Sequence, residues 1–218
     1  MNQFAFVFDM DGVIVDTNPY HKISLGEFAA KYGYFLSEED LIKKIYGRTN
    51  KEWIPNLLGR TLSAEEVSRY GEEKEKMFRD LYEKEIVEVK GLTKFLEEAT
   101  RLNIIMAIGT SAPRSNVDFV LKHTGIGKYF SVILDESHVT HGKPNPEIYI
   151  NCAAALKLPT SQCIVFEDSL SGVAAGRAAG CPVVGVATTH AAAELATKVV
   201  IKDFTEITPA ELILRFKS

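Results

Sequence analysis

The stretch that most constrains the fold is Phe4-Ala5-Phe6-Val7-Phe8-Asp9-Met10-Asp11-Gly12-Val13, an apolar run ending in two carboxylates one residue apart. Consecutive apolar residues rich in Phe and Val predict a short strand buried on both faces, as found inside a parallel sheet. In open α/β sheets the ligand crevice lies just beyond the carboxyl ends of the strands, where Asp9 and Asp11 fall. Gly12 permits a sharp turn there. Two ionised carboxylates held so close repel, so they need a cation, a shared proton or separate environments. An oxygen-rich site of this kind suits a hard ion such as Mg2+. A bare D-x-D-G is an ordinary acidic turn; a buried strand delivering the whole string DMDGVIVDT points further, to an active site.

Beyond residue 15 the pattern turns helical. His21 to Tyr32 carries Leu25, Phe28, Ala29 and Tyr32 on one face. Ser37 and Thr49 read as N-caps, the second in a capping box with Glu52, and Ser63 with Glu66 opens a long helix striped by Val67, Tyr70, Met77, Phe78 and Leu81. Residues 16–87 thus form a helical insertion whose amphipathic faces need one another. From Gly91 onward helices alternate with strands at Ile104 to Ile108, Val132 to Leu134, Ile164 to Phe166, Val183 to Val186 and Val199 to Ile201. Such alternation predicts a doubly wound parallel sheet with helices on both faces. The first strand must join it, so the expected fold is an α/β Rossmann-like core of residues 1–15 and 88–218 carrying a helical cap domain.

With 218 residues and 46% hydrophobic content, the chain can bury one large or two small domains. A net charge of −4 without a basic block argues against nucleic acid and anionic membrane as partners. Cys152, Cys163 and Cys181 are odd in number, lack C-x-x-C spacing and sit in apolar runs, which predicts reduced, buried thiols. No leader-like segment precedes the first strand, and no apolar run approaches the ~20 residues of a membrane span. A cytoplasmic protein, monomeric or weakly oligomeric, is the expectation.

DMDGVIVDT resembles the first motif of the haloacid dehalogenase superfamily, and three further motifs of that family follow in order: Gly109-Thr110-Ser111, Gly142-Lys143-Pro144 and Glu167-Asp168-Ser169. The resemblance is closest to its β-phosphoglucomutase-like branch of phosphatases and mutases. It implies that Asp9 is a nucleophile forming an aspartyl phosphate and that Asp11 is the general acid/base that protonates the leaving alkoxide. Halide departure needs no such proton, so Asp11 favours phosphoryl transfer over dehalogenation. Thr110 and Ser111, through hydroxyls and amides, would hold phosphoryl oxygens. Lys143 would neutralise charge shared by Asp9 and the phosphoryl group. A second acidic pair, Glu167 and Asp168, closes another apolar strand at the same sheet edge. Mg2+ is therefore assigned to the Asp9 carboxylate, the Asp11 backbone carbonyl and Asp168, with Glu167 a direct or water-mediated ligand. His138 and His141 lie in a polar loop and are read as facing water.

Specificity for a small phosphorylated metabolite must then come from the insertion. Lys74 interrupts an apolar helix stripe, so it either snorkels out or faces a wet cleft. His21 is either a helix-end residue or a substrate-facing one. Arg48 and Asn50 follow Gly47 in a stretch resembling the family's specificity loop, where the resemblance puts the mutase's phosphate-binding Arg at the position of Asn50. A displaced guanidinium weakens the grip on a second phosphate. Three readings stand: a Mg2+-dependent sugar or polyol phosphatase, a β-phosphoglucomutase, and a catalytically silent phospho-ligand-binding module.

Overall fold

In the computed structural model residues 4–40 and 50–217 are described; Arg48 and Thr49 lie outside them. β1 (Ala5–Phe8) is buried along its whole length. After it the chain leaves for α1 (Asn18–Lys31), a single turn α2 (Glu38–Asp40), α3 (Asn50–Leu58) and α4 (Ala64–Tyr82). It then alternates through α5 (Leu92–Arg101), β2 (Ile105–Gly109), α6 (Arg114–Thr124), β3 (Val132–Leu134), α7 (Glu147–Leu156), β4 (Cys163–Glu167), α8 (Leu170–Ala178), β5 (Val183–Val186), α9 (Ala192–Leu195), β6 (Val199–Ile201) and α10 (Pro209–Lys217). Two compact units result, Met1–Asp16 with Ile86–Ser218, and Thr17–Glu85.

The first unit is built on a six-stranded sheet of order β3-β2-β1-β4-β5-β6, and every pairing is parallel. β1 is central: Phe8 aligns with Ile108 of β2 on one side and Phe166 of β4 on the other. The strand order runs outward in both directions from β1, which makes its carboxyl end the switch point of this Rossmann-like fold. The two faces of β1 bury different things, as the two-residue period of a strand requires. Phe6 and Phe8 meet Phe95, Phe166 and Phe204, with the Phe8 and Phe166 rings stacked 4.5 Å apart. Ala5 and Val7 join Tyr149, Cys152, Val165 and Val173 on the opposite face. Ring stacking of this kind adds about 0.5–1.5 kcal/mol per pair beyond burial.

Two strands end one residue later than the apolar pattern suggests. Gly109 still pairs with Leu134, and Glu167 with Gly185, so both motifs begin on the last rung of the sheet. The three cysteines are buried and unbridged. Burial pushes their thiols up, to about 12 for Cys152 and Cys181 and about 11 for Cys163, which makes them inert. No described helix is long and apolar enough to cross a membrane.

In the second unit α4 begins with a full capping box, Ser63 accepting from the Glu66 amide while Glu66 accepts from that of Ser63. Ser37 likewise accepts from the Asp40 amide at the start of α2. Leu25, Phe28 and Ala29 of α1, Trp53, Ile54 and Leu57 of α3, and Val67 and Tyr70 of α4 form its core. On α4 the buried face is completed by Phe78 and Tyr82, whereas Met77 is half-buried.

Candidate active site

Directly after β1, Asp9 donates its amide to Phe166 and its carboxylate stays buried. The chain then winds tightly, the Met10 carbonyl accepting from the amides of Val13, Ile14 and Val15. Gly12 is required in that turn: its φ is +75°, and a Cβ there would lie 2.0 Å from an Asp168 carboxylate oxygen. A loop after β5 fastens the turn from outside, with Thr188 donating to the Gly12 carbonyl (2.5 Å) and Thr189 donating to Asp168.

Asp168 follows β4 and is 3% exposed; Glu167, the last residue of that strand, is wholly buried. Asp9, Glu167 and Asp168 each bring a carboxylate oxygen within 4.8 Å of the others. Against them stands Lys143, whose ammonium donates to Asp9 Oδ1 at 2.7 Å and to Glu167 Oε1 at 2.6 Å. Burial pushes the Asp9 carboxyl well above the ordinary carboxylate range, Lys143 opposes the shift, and Glu167, Asp168 and Asp11 add to it. Asp168 is pushed up to about 7, first by burial and then by Glu167. Burial disfavours the Lys143 ammonium, but Asp9 and Glu167 outweigh it and hold its pKa above the ordinary lysine value. One ammonium thus faces a cluster of three buried carboxylates, of which Asp9 and Asp168 resist ionisation. An oxygen-only donor set with excess negative charge fits a small hard divalent cation.

Thr110 follows β2 at the same edge and is buried, while Ser111 is exposed. The Thr110 amide is committed to the Leu134 carbonyl at 3.0 Å, and its hydroxyl oxygen accepts from the Ala112 amide at 3.1 Å. A hold on anionic oxygens through the Thr110 amide is therefore corrected: its hydroxyl proton alone remains to donate. Asp11 is half-buried in the turn. The structure thus brings Asp9, Lys143, Glu167 and Asp168 into direct contact range and places Asp11 in the turn after β1 and Thr110 and Ser111 just beyond β2.

One buried group in this cluster escapes the sequence pattern. Tyr149 of α7 donates to Glu167 Oε1 at 2.6 Å. Burial, then the Glu167 and Asp9 charges, push its hydroxyl well above its usual range, so it remains a donor. A Tyr in an apolar helix stripe reads as core; its short separation from Lys143 was the available signal.

A profile of the haloacid dehalogenase-like hydrolases matches residues 6–186, spanning all four motifs. The chain belongs to that family. Among relatives of this hydrolase, a phosphorylated carbohydrates phosphatase of Thermotoga maritima is 34% identical over 180 residues, 81% of each chain. Among solved structures, a family IA, variant 3 hydrolase of Entamoeba histolytica superposes with a TM-score of 0.90 at 31% identity, covering 99% of this chain and 100% of that one. A β-phosphoglucomutase of Clostridium difficile gives 0.84 at 26%, covering 99% and 97%. The chain is an enzyme of this hydrolase family, which sets aside the silent binding module.

Residues expected to select the substrate lie in the Thr17–Glu85 unit. Lys74 is 7% exposed, so it does not snorkel; its ammonium is 2.9 Å from His21 Nδ1 and donates to Glu75 Oε1 at 2.9 Å. The His21 ring stacks on Phe78 at 3.8 Å. Asn50 accepts from the Trp53 indole at 2.8 Å and sits where a Cβ on Gly71 would lie 2.9 Å from its amide nitrogen, joining α3 to α4. Arg48 lies outside the described residues. His138 Nδ1 lies 3.0 Å from the Asp135 carboxylate, and its side chain, like that of His141, is exposed.

Proposed function

We propose that this hydrolase is a Mg2+-dependent phosphatase that cleaves a small phosphorylated metabolite, a sugar or polyol phosphate, through an aspartyl-phosphate intermediate. The observation that carries this reading is Asp9 itself: a buried carboxylate at the switch point, gripped by Lys143 and two residues from a second Asp. The Thermotoga relative's name supports the carbohydrate class.

In this proposal an Asp9 carboxylate oxygen attacks phosphorus in line, and the bond to the substrate oxygen breaks. Asp11 gives that oxygen its proton, then removes a proton from the water that attacks the phosphoryl group and releases inorganic phosphate and free Asp9. Lys143 holds Asp9 in place while negative charge builds, and the Thr110 hydroxyl and Ser111 orient phosphoryl oxygens. Asp9, Asp168 and the Asp11 carbonyl are the proposed Mg2+ holders, with Glu167 as an outer member acting through water. When bound, Mg2+ offsets phosphate charge so that one anion can approach another. The insertion is proposed to select the substrate, with His21, Lys74, Arg48 and Asn50 as the residues to vary.

The β-phosphoglucomutase of Clostridium difficile supports a second reading, in which a sugar hydroxyl replaces water as acceptor. Phosphorus NMR with Mg2+, β-glucose 1-phosphate and a trace of glucose 1,6-bisphosphate separates the two. Release of inorganic phosphate supports the phosphatase; growth of a hexose 6-phosphate signal supports the mutase and overturns it.

A further inference from the structure

We propose that Tyr149 is a positioning residue of the phosphoryl-transfer site: its hydroxyl fixes Glu167 as the anchor of Lys143, and so sets where the ammonium meets Asp9. The inference rests on the phosphatase reading for its kinetic consequence, but its geometry stands within the first unit alone.

Glu167 is held by donors on both oxygens. Oε2 accepts from the amides of Asp168 (3.1 Å) and Ser169 (3.2 Å) and from the Ser169 hydroxyl (3.0 Å). Oε1 accepts from Lys143 and from Tyr149, each at 2.6 Å. A carboxylate offers about four lone-pair sites, so donors on this scale fix its orientation. The first turn of α8 is shaped around the group, because a Cβ on Gly172 would lie 1.8 Å from Oε1. Glu167 is therefore a fixed acceptor, held by donors on both of its oxygens.

Tyr149 is the part of that arrangement whose own place is over-determined. It is 0% exposed, packed in the apolar cluster with Ile148, Cys152 and Val7, and has two torsions to lock. The same ring lies 5.1 Å from the Lys143 ammonium, so one side chain touches both the anchor and the cation. Lys143 divides itself between Asp9 and Glu167, and Tyr149 competes with it for Oε1. Without the hydroxyl, Glu167 presents a less satisfied oxygen, and the ammonium shifts toward Glu167 and away from Asp9. Charge-assisted hydrogen bonds are strong enough for that redistribution to matter.

The test compares wild type, Tyr149→Phe, Glu167→Gln and the double variant with p-nitrophenyl phosphate and Mg2+. Tyr149→Phe should lower kcat about 10-fold, the usual scale for a group acting through another, with KM and the Mg2+ dissociation constant from calorimetry changed less than twofold. In the Glu167→Gln background it should have no further effect. An unchanged kcat in folded Tyr149→Phe, an additive loss in the double variant, or a Mg2+ affinity that falls as far as kcat would each overturn the proposal. A readout free of turnover is the 15N resonance of the Lys143 ammonium, assigned through Lys143→Met. It should be slowly exchanging in wild type and broadened in Tyr149→Phe; an identical resonance in both overturns the inference. Should Tyr149→Phe fail to fold, Glu167→Gln must give the same broadening. A wild type without hydrolysis would refute the phosphatase reading, and the ammonium resonance would still decide the role of Tyr149.

Discussion

Both units of this hydrolase bury a lysine against carboxylate, and they do so in opposite ways. In the first, Lys143 faces Asp9 and Glu167 with Asp168 alongside, an unequal match that leaves the cluster short of positive charge. In the second, Lys74 meets its sequence neighbour Glu75 at 2.9 Å, with the His21 ring beside it and 3.9 Å from the Glu75 carboxylate. The contrast teaches what each unit is prepared for. Desolvated like charges raise one another's proton affinity and draw in a cation, whereas a paired ion and its counter-ion offset each other's charge.

Neutralising Asp9 should have the largest effect. Asp9→Asn is predicted to lower kcat by at least ~10^4-fold, the scale seen when a nucleophile is removed. The same change should raise the melting temperature of the metal-free protein, because a neutral amide relieves a carboxyl that resists ionisation in place. Steady-state kinetics and thermal unfolding in EDTA check both; a stabilised but still active variant would refute the nucleophile assignment.

Lys143→Met comes next. It leaves Asp9 and Glu167 buried without their cation, at a cost of about 3–5 kcal/mol in stability and about 10^2-fold or more in kcat. Addition of Mg2+ should recover part of the stability and little of the rate. Urea unfolding with and without Mg2+ measures it.

In the balanced cluster the outcome should depend on which partner goes. Lys74→Met alone takes the ammonium away from a buried Glu75 and is expected to cost about 3 kcal/mol, while Lys74→Met with Glu75→Leu should come back to within about 1 kcal/mol of wild type. Urea unfolding of the two single variants and the double one gives the coupling. Equal destabilisation by the single and the double changes would erase the distinction between the clusters.

The same contrast marks what could be read from the sequence. The sheet was legible because its strands are short, apolar and closed by motif residues, and a parallel topology then gathers Asp9, Thr110, Glu167 and Asp168 at one edge without further information. Lys143 was legible through its place among the motifs. Tyr149 was not: its role depends on α7 turning the ring under Glu167, and an apolar stripe hides that. Glu75 was invisible for the converse reason, since a charge on a highly charged helix reads as solvated until the packing of Lys74 and His21 is known. Contacts within one strand edge follow from topology; contacts that depend on helix rotation do not.

The smallest effect is a dependence on pH that should appear in the first unit. Asp168 has its folded-state pKa raised from 3.8 to about 7. Between about pH 4 and 7 the folded metal-free protein therefore holds a proton here that the unfolded chain has released. Stability then falls as pH rises, since its slope follows the protons bound by the unfolded state minus those bound by the folded one. The contribution is fully present below pH 4 and lost by the time pH passes 7. A bound divalent cation reverses the sign, because it favours the ionised carboxylate and its binding releases that proton. In EDTA the melting temperature should drop by a few degrees from pH 5.5 to 7.5 relative to Asp168→Asn, and the stabilisation given by Mg2+ should grow over the same interval. If Asp168→Asn leaves the pH dependence in EDTA unchanged, the excess negative charge of the cluster does not reside on Asp168, and the unequal match at Lys143 must be carried by Asp9.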